Sequence, residues 1–174
     1  HTPQLIGYNS SASDIKILIQ RALVNSVQAP GFCKRPDKPW EGPDYFARGS
    51  DFNIDLMDVV GGWGKSSPSL HEIVSSSGIP GKMGIDGDKV AEIWMEGNID
   101  QIVAYNEYDA ITTFLLWLKM AYFGGHLSSN QYKEELLSIK QLLEQESETE
   151  PRKHLKLYLE KWSELERLSA RRQT

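Results

Sequence analysis

The chain has 174 residues, 40% of them hydrophobic, which is enough for one globular domain with a core. Its formal charge of -5 argues against a broad basic surface for nucleic acid, because such a surface neutralises phosphates with Lys and Arg. The single cysteine, Cys33, excludes an intramolecular disulfide and fits a reducing compartment, so we expect a cytoplasmic protein.

Two short strands are predicted in the first sixty residues, with a helix and a loop between them. Residues 4–8 have the pattern of a strand. A helix is expected to begin with Ser13 as its N-cap and to end at residues 28–31. Residues 30–50 are rich in proline and are predicted to have little regular structure, and residues 52–60 are mostly strand-like.

Short helices and a glycine-rich loop are predicted next. Ser69 and Glu72 have the spacing of a capping box, which indicates a short helix that stops at Gly78. Residues 79–87 form the glycine-rich loop, and residues 88–95 have the pattern of another short helix.

The longest predicted helix runs from Asn98 to about Phe123 and is ended by two glycines. Its apolar run, residues 110–118, is far short of the about 20 residues that a membrane span needs. No membrane partner is therefore expected.

The composition changes after residue 128. Residues 129–146 and 151–170 are amphipathic and predict a helical hairpin. We therefore expect two parts, residues 1–128 and the hairpin extension 129–174. Apolar stripes on such a hairpin make a homodimer one expected outcome.

Tyr105 and Asp109 lie in the middle of the long predicted helix. Because residues four apart share one helix face, the phenol and the carboxylate should point the same way. Asp109 falls on a largely apolar stripe, where an unpaired charge would be costly, so a metal ion is one candidate partner. The alternative is a hydrogen-bonded polar pair in a helix interface. The other members of the stripe are Ile102, Thr112 and Leu116.

Four aspartates stand at strand-to-helix and helix positions and could converge on metal ions. Two-metal hydrolysis of a phosphodiester needs several carboxylates, because Mg²⁺ and Mn²⁺ prefer hard oxygen ligands. Asp14 and Asp109 fit that need, and a tyrosine one turn from Asp109 can orient the attacking water. Asp14 can instead stabilise a helix dipole. Asp55 and Asp58 are expected on the second strand, and we expect their role to be structural rather than metal binding.

Two short motifs resemble a known family. Residues 5–14, Leu-Ile-Gly-Tyr-Asn-Ser-Ser-Ala-Ser-Asp, resemble the second exonuclease motif of DEDDy-type 3'-5' exonucleases. Residues 105–109, Tyr-Asn-Glu-Tyr-Asp, resemble the third. The match looks nearest to predicted bacterial exonucleases related to the proofreading domain of family B DNA polymerases, and it covers roughly residues 3–145.

The resemblance implies an α/β, RNase H-like exonuclease fold. It also implies a role for each of four site residues. Asp14 and Asp109 would serve two Mg²⁺ or Mn²⁺ ions, Tyr105 would orient the nucleophilic water, and Asn9 would shape the substrate cleft. The expected activity is metal-dependent 3'-5' hydrolysis at the single-stranded ends of DNA or RNA.

The sequence departs from the family pattern in three ways. Ser13 replaces a usual aromatic residue, Asn53 replaces a common histidine, and the first motif, Asp-x-Glu on an early strand, is absent. The expected fold therefore lacks its N-terminal strands and the two-metal site is incomplete, which makes activity of this chain alone doubtful. The alternative function is a catalytically inactive module of the same fold that binds nucleic acid or a protein.

Overall fold

The chain forms a mixed α/β structure that is mostly helical. The computed structural model describes residues 2–38, 40–47, 49–62 and 67–171. The chain divides into two compact units, residues 1–68 and 69–174. Within the described ranges, no helix is both long enough and apolar enough to cross a membrane.

The first unit contains a two-stranded parallel sheet. Its elements are β1 (Leu5–Gly7), α1 (Asp14–Val24), α2 (Pro30–Cys33), β2 (Asn53–Asp55) and α3 (Leu56–Gly61). Ile6 pairs with Ile54 at the centre of the sheet. Because parallel strands need a crossover connection, the chain between β1 and β2 passes through α1 and α2.

The second strand is shorter than the sequence predicts. Only three residues of the strand-like run pair with β1, and residues 56–60 of that run lie in α3. The carboxylate of Asp55 caps this helix by accepting a hydrogen bond from the N–H of Met57 at 3.1 Å. This cap overrides the strand propensity of the valines that follow. Asp58, expected on the strand, lies instead in the first turn of α3.

Helix α1 begins where the sequence predicts and ends earlier. Ser13 occupies the N-cap position, although its side chain makes no capping hydrogen bond, and the last helical residue is Val24. Only the start of the apolar stripe of α1 is buried: Ile15 is 6% exposed, whereas Leu18 is 56% exposed. The prediction also missed α2, which has Pro30 as its first residue, a favourable position because proline needs no N–H partner there.

The second unit is helical in all its regular elements. They are α4 (Leu70–Ser76), a 3-10 helix (Gly87–Lys89), α5 (Val90–Met95), α6 (Ile99–Phe123), α7 (Ser129–Ser147), a second 3-10 helix (Glu150–Arg152) and α8 (His154–Arg171). The predicted capping box of Ser69 and Glu72 is confirmed at the start of α4. The predicted long helix and helical hairpin correspond to α6 and to α7 with α8.

Helix α6 is central to the core of the second unit, because α4, α5, α7 and α8 all pack on it. Its buried residues include Leu115 and Leu118, each 1% exposed. Tyr158 of α8, which is fully buried, belongs to the same core. Thus α7 and α8 share a compact unit with α6, and the expected boundary after residue 128 stays a prediction.

Candidate active site

A buried carboxylate in the first unit organises the loop that follows β1. One oxygen of Asp55 accepts the N–H of Asn9 at 2.7 Å, and the other accepts the N–H of Ser11 at 3.0 Å. Asp55 is 7% exposed, so these bonds satisfy a charge that would be costly to bury alone. The loop carrying the first resemblance motif is therefore fixed to the end of β2.

The backbone of Asn9 has a left-handed conformation, with φ of 60°. Asparagine tolerates this region better than most side chains do. The carbonyl of Asn9 accepts the N–H of Ser13 at 3.0 Å, and α1 begins one residue later. The conformation of Asn9 thus belongs to the turn that leads the chain from the strand into the helix.

Asp14 is the first residue of α1, and its side chain is exposed. A carboxylate there lies at the positive end of the helix dipole. Its exposure also leaves it accessible to a ligand from solvent. Both interpretations of Asp14 remain compatible with its position.

Tyr105 and Asp109 lie one turn apart on α6, and both are half-buried. They line the same small cavity in the second unit, so the predicted shared face is present. Gly87 lies close to the phenol: a Cβ added there would be 3.3 Å from Oη of Tyr105. The cavity is lined by Lys82, Met83, Ile85, Tyr105, Tyr108 and Asp109.

The loop on the other side of this cavity, residues 79–87, is held by side chains of α4 and α6. The hydroxyl of Thr112 donates to the carbonyl of Pro80 at 3.0 Å. The N–H of Lys82 donates to Nδ1 of His71 at 3.1 Å. A Cβ added at Gly81 would lie 2.2 Å from the same Nδ1, so only glycine permits this approach.

A lysine and an aspartate of this loop form an ion pair. Nζ of Lys82 donates to the carboxylate of Asp86. This hydrogen bond and the negative charge of Asp86 raise the pKa of Lys82, and Asp88 and Asp109 make smaller contributions. The pKa of Asp86 is lowered by the same pairing. The lysine therefore stays charged beside the cavity that Tyr105 and Asp109 line.

Helix α8 supports α6 behind the site. Tyr158 stacks on Tyr108 with ring centroids 5.7 Å apart, and its hydroxyl lies 2.9 Å from Oγ1 of Thr112. Burial raises the pKa of Tyr158, so the hydroxyl remains protonated. The hydroxyl of Tyr108 donates to the carbonyl of His154 at 2.8 Å. The face of α6 next to Asp109 is thus tied to the C-terminal hairpin.

The predicted site residues divide between the two units. Asn9 and Asp14 belong to the first, whereas Tyr105 and Asp109 belong to the second. Among the described residues, no group of three His, Cys, Asp or Glu side chains could hold a metal ion. Asp14 and Asp109 supply fewer carboxylates than a two-metal centre requires, so the donor set does not fit a complete centre.

Sequence reasoning missed three contributors to the candidate site. Lys82 stands in a glycine-rich loop, and nothing in the local pattern relates it to Asp109. The sequence marks Thr112 only as a member of the apolar stripe, and Tyr158 only as part of an amphipathic segment. The three-residue spacing from Asp109 to Thr112 was the one usable signal, because residues three apart are neighbours on a helix.

The comparison with known proteins identifies a family. Residues 1–162 match the family described as predicted 3'-5' exonuclease related to the exonuclease domain of PolB. No curated protein and no solved structure matches the chain. Since the family match spans most of the 174 residues, the chain belongs to this family of predicted 3'-5' exonucleases.

Proposed function

We propose that the protein containing this chain removes nucleotides from the 3' ends of single-stranded DNA or RNA by metal-dependent hydrolysis. Family membership implies a nucleic-acid substrate, and exonucleases of this kind generally use divalent metal ions. The observation that carries the proposal is the cavity that Tyr105 and Asp109 line together on α6.

We assign each proposed site residue the role that the family resemblance implies for it. Asp14 and Asp109 are the carboxylates for Mg²⁺ or Mn²⁺, the hard ions that prefer oxygen ligands. When bound, such ions supply charge stabilisation at the phosphate. The phenol of Tyr105 donates a hydrogen bond that orients the attacking water, and Asn9 contacts the substrate. These two carboxylates form an incomplete donor set, so we derive no catalytic step through the ions.

The proposal is tested with a 5'-labelled single-stranded oligonucleotide and the full-length protein in Mg²⁺ or Mn²⁺. We expect a ladder of products shortened from the 3' end, which chelation of the metal abolishes. Asp109→Asn should reduce the rate at least about 100-fold, because it removes a charged ligand. The control is Asp100→Asn, which changes an exposed aspartate in the first turn of the same helix. Equal rates for the two variants would contradict the role of Asp109.

The alternative function is a module of the same family that binds nucleic acid or a protein without cleaving it. This alternative is favoured by the small donor set of Asp14 and Asp109, and by Ser13 and Asn53, which are two of the three departures from the family pattern. The same oligonucleotide distinguishes the two functions. Binding without shortening, in either metal, would support the alternative.

We also propose that the first unit is part of an RNase H-like fold, that the protein is cytoplasmic and that the hairpin mediates a homodimer. The parallel β1–α1–β2 arrangement supports the proposed fold. Large apolar side chains on α7 and α8 that are about half exposed support the homodimer. They are Leu137, Leu142, Leu157 and Leu168.

A further inference from the structure

Lys82 places a positive charge at the cavity of Tyr105 and Asp109. Of the described residues that line this cavity, Lys82 is the only cationic one. Its side chain is 53% exposed, so the ammonium group can reach a ligand without unfolding the loop. The chain is acidic overall, so a lysine beside the site would attract the phosphates of a nucleic acid that the rest of the surface repels.

The backbone of Lys82 is fixed on both sides. Its N–H is bonded to His71, and the preceding Gly81 lies against the same imidazole. Pro80, two residues before, is bonded to Thr112, which lies three residues beyond Asp109 on α6. The backbone of the lysine is therefore fixed relative to Asp109, so a ligand has to order only the side chain.

The present partner of Lys82 is replaceable. Its carboxylate partner, Asp86, is about as exposed as Lys82 itself, at 49%. Exposed ion pairs contribute only about 0–1 kcal/mol, because water screens them. An exchange of Asp86 for another anion would therefore cost little, and a phosphate oxygen is an acceptor of equal quality.

We propose that Lys82 binds a non-bridging phosphate oxygen of the single strand whose 3' end lies at Tyr105 and Asp109, and that it leaves Asp86 to do so. This inference rests on the proposed function, because it assumes that the 3' end of the strand lies against Tyr105 and Asp109. It assigns Asp86 the role of an internal competitor that holds the lysine when no nucleic acid is bound.

A different interpretation is that Lys82 only balances the charge of neighbouring aspartates. In that case replacement of Lys82 would alter stability and leave nucleic-acid binding unchanged. If Lys82 binds phosphate, its replacement should weaken nucleic-acid binding and leave stability nearly unchanged. Phosphate binding also predicts that removal of the competing charge at Asp86 strengthens binding.

The test is fluorescence anisotropy of a labelled single-stranded DNA between 50 and 300 mM salt, in EDTA to prevent cleavage. At the lowest salt we expect Lys82→Gln to weaken binding about 5- to 10-fold and to reduce the salt slope by about 0.7, the value for one phosphate contact on a single strand. Asp86→Asn should bind more tightly than the unmodified protein, and Lys82→Arg should restore most of the affinity. The control is Lys133→Gln, an exposed lysine on α7.

Binding by Lys82→Gln that matches Lys133→Gln at every salt concentration would overturn the inference. If the unmodified protein still shortens 3' ends in that case, the proposed function survives and the role of Lys82 alone is lost. If the unmodified protein neither binds nor shortens the strand, both proposals fail together. Circular dichroism melts of each variant show that any weakened binding comes from a folded protein.

Discussion

The hydroxyl of Tyr158 lies 2.9 Å from Oγ1 of Thr112, and that threonine in turn donates to the carbonyl of Pro80. Three segments far apart in sequence thus meet in one buried chain of hydrogen bonds. Because low local dielectric strengthens such chains, they fix the elements that share them. These hydrogen bonds join the C-terminal hairpin to the loop that carries Lys82.

The first prediction concerns the hydrogen bonds that join Tyr158, Thr112 and Pro80. Tyr158→Phe should lower the free energy of unfolding by about 0.5–1.5 kcal/mol, because one hydrogen bond is lost while the ring remains packed. Urea denaturation followed by fluorescence measures it. The matched control is Tyr122→Phe, at a tyrosine that is 43% exposed, and a change within about 0.5 kcal/mol is expected there. A loss no larger than that of the control would show that the Tyr158 hydroxyl is energetically neutral.

The second prediction concerns Asp55. Its two oxygens accept N–H groups from Asn9, Ser11 and Met57. Asp55→Asn replaces one acceptor by an NH₂ group facing a donor, so the loss should be about 1–3 kcal/mol. Hydrogen exchange should show faster exchange at Asn9 and Ser11 in particular. Asp51→Asn, at an exposed aspartate just before β2, is the control; unchanged exchange in the Asp55 variant would refute the anchoring role.

The third prediction is a pH dependence at the start of α4. The backbone N–H and the hydroxyl of Ser69 donate to Glu72 and lower its pKa below the ordinary value of 4.5. A lowered carboxylate pKa stabilises the fold above pH 4.5, and this contribution disappears as the pH falls through the folded pKa. Melting temperatures from pH 7 to pH 3 should therefore fall more steeply for the unmodified protein than for Glu72→Gln. Parallel curves would contradict the prediction.

The fourth prediction concerns the proposed homodimer. Leu157→Glu should shift the protein toward the monomer in analytical ultracentrifugation, because a charge would enter the apolar stripe of α8. The control is Met95→Glu, since Met95 is 84% exposed and lies outside the hairpin. A monomeric mass for the unmodified protein at tens of micromolar would remove the proposal.

Local signals in the sequence predicted the elements whose ends are determined locally. The spacing of Ser69 and Glu72 predicted the start of α4, where both bonds of the capping box are present. Asn98 and two glycines predicted the limits of α6 to within a residue, although the side chain of Asn98 makes no capping hydrogen bond. The predicted length of β2 was wrong because the helix cap formed by Asp55 outweighs the strand propensity of the valines that follow.

The candidate site was predictable only in part, for a physical reason. The four-residue spacing of Tyr105 and Asp109 is a helix property, so their common cavity could be expected. The contact of Tyr158 with Thr112 joins residues 46 apart in the chain, and it depends on how α8 packs. Lys82 reaches its position through His71, a partner 11 residues away. The roles of Asn9, Asp14, Tyr105 and Asp109 stay predictions.

The left-handed backbone of Asn9 determines which mutation can reveal what its side chain does. An alanine at φ of 60° would strain the turn by about 1–2 kcal/mol, so Asn9→Ala would disturb the entry into α1 whether or not the amide touches substrate. Glycine adopts this φ without strain. Asn9→Gly therefore removes the side chain without straining the turn, and comparison of the two variants separates recognition of the strand from the geometry of the loop.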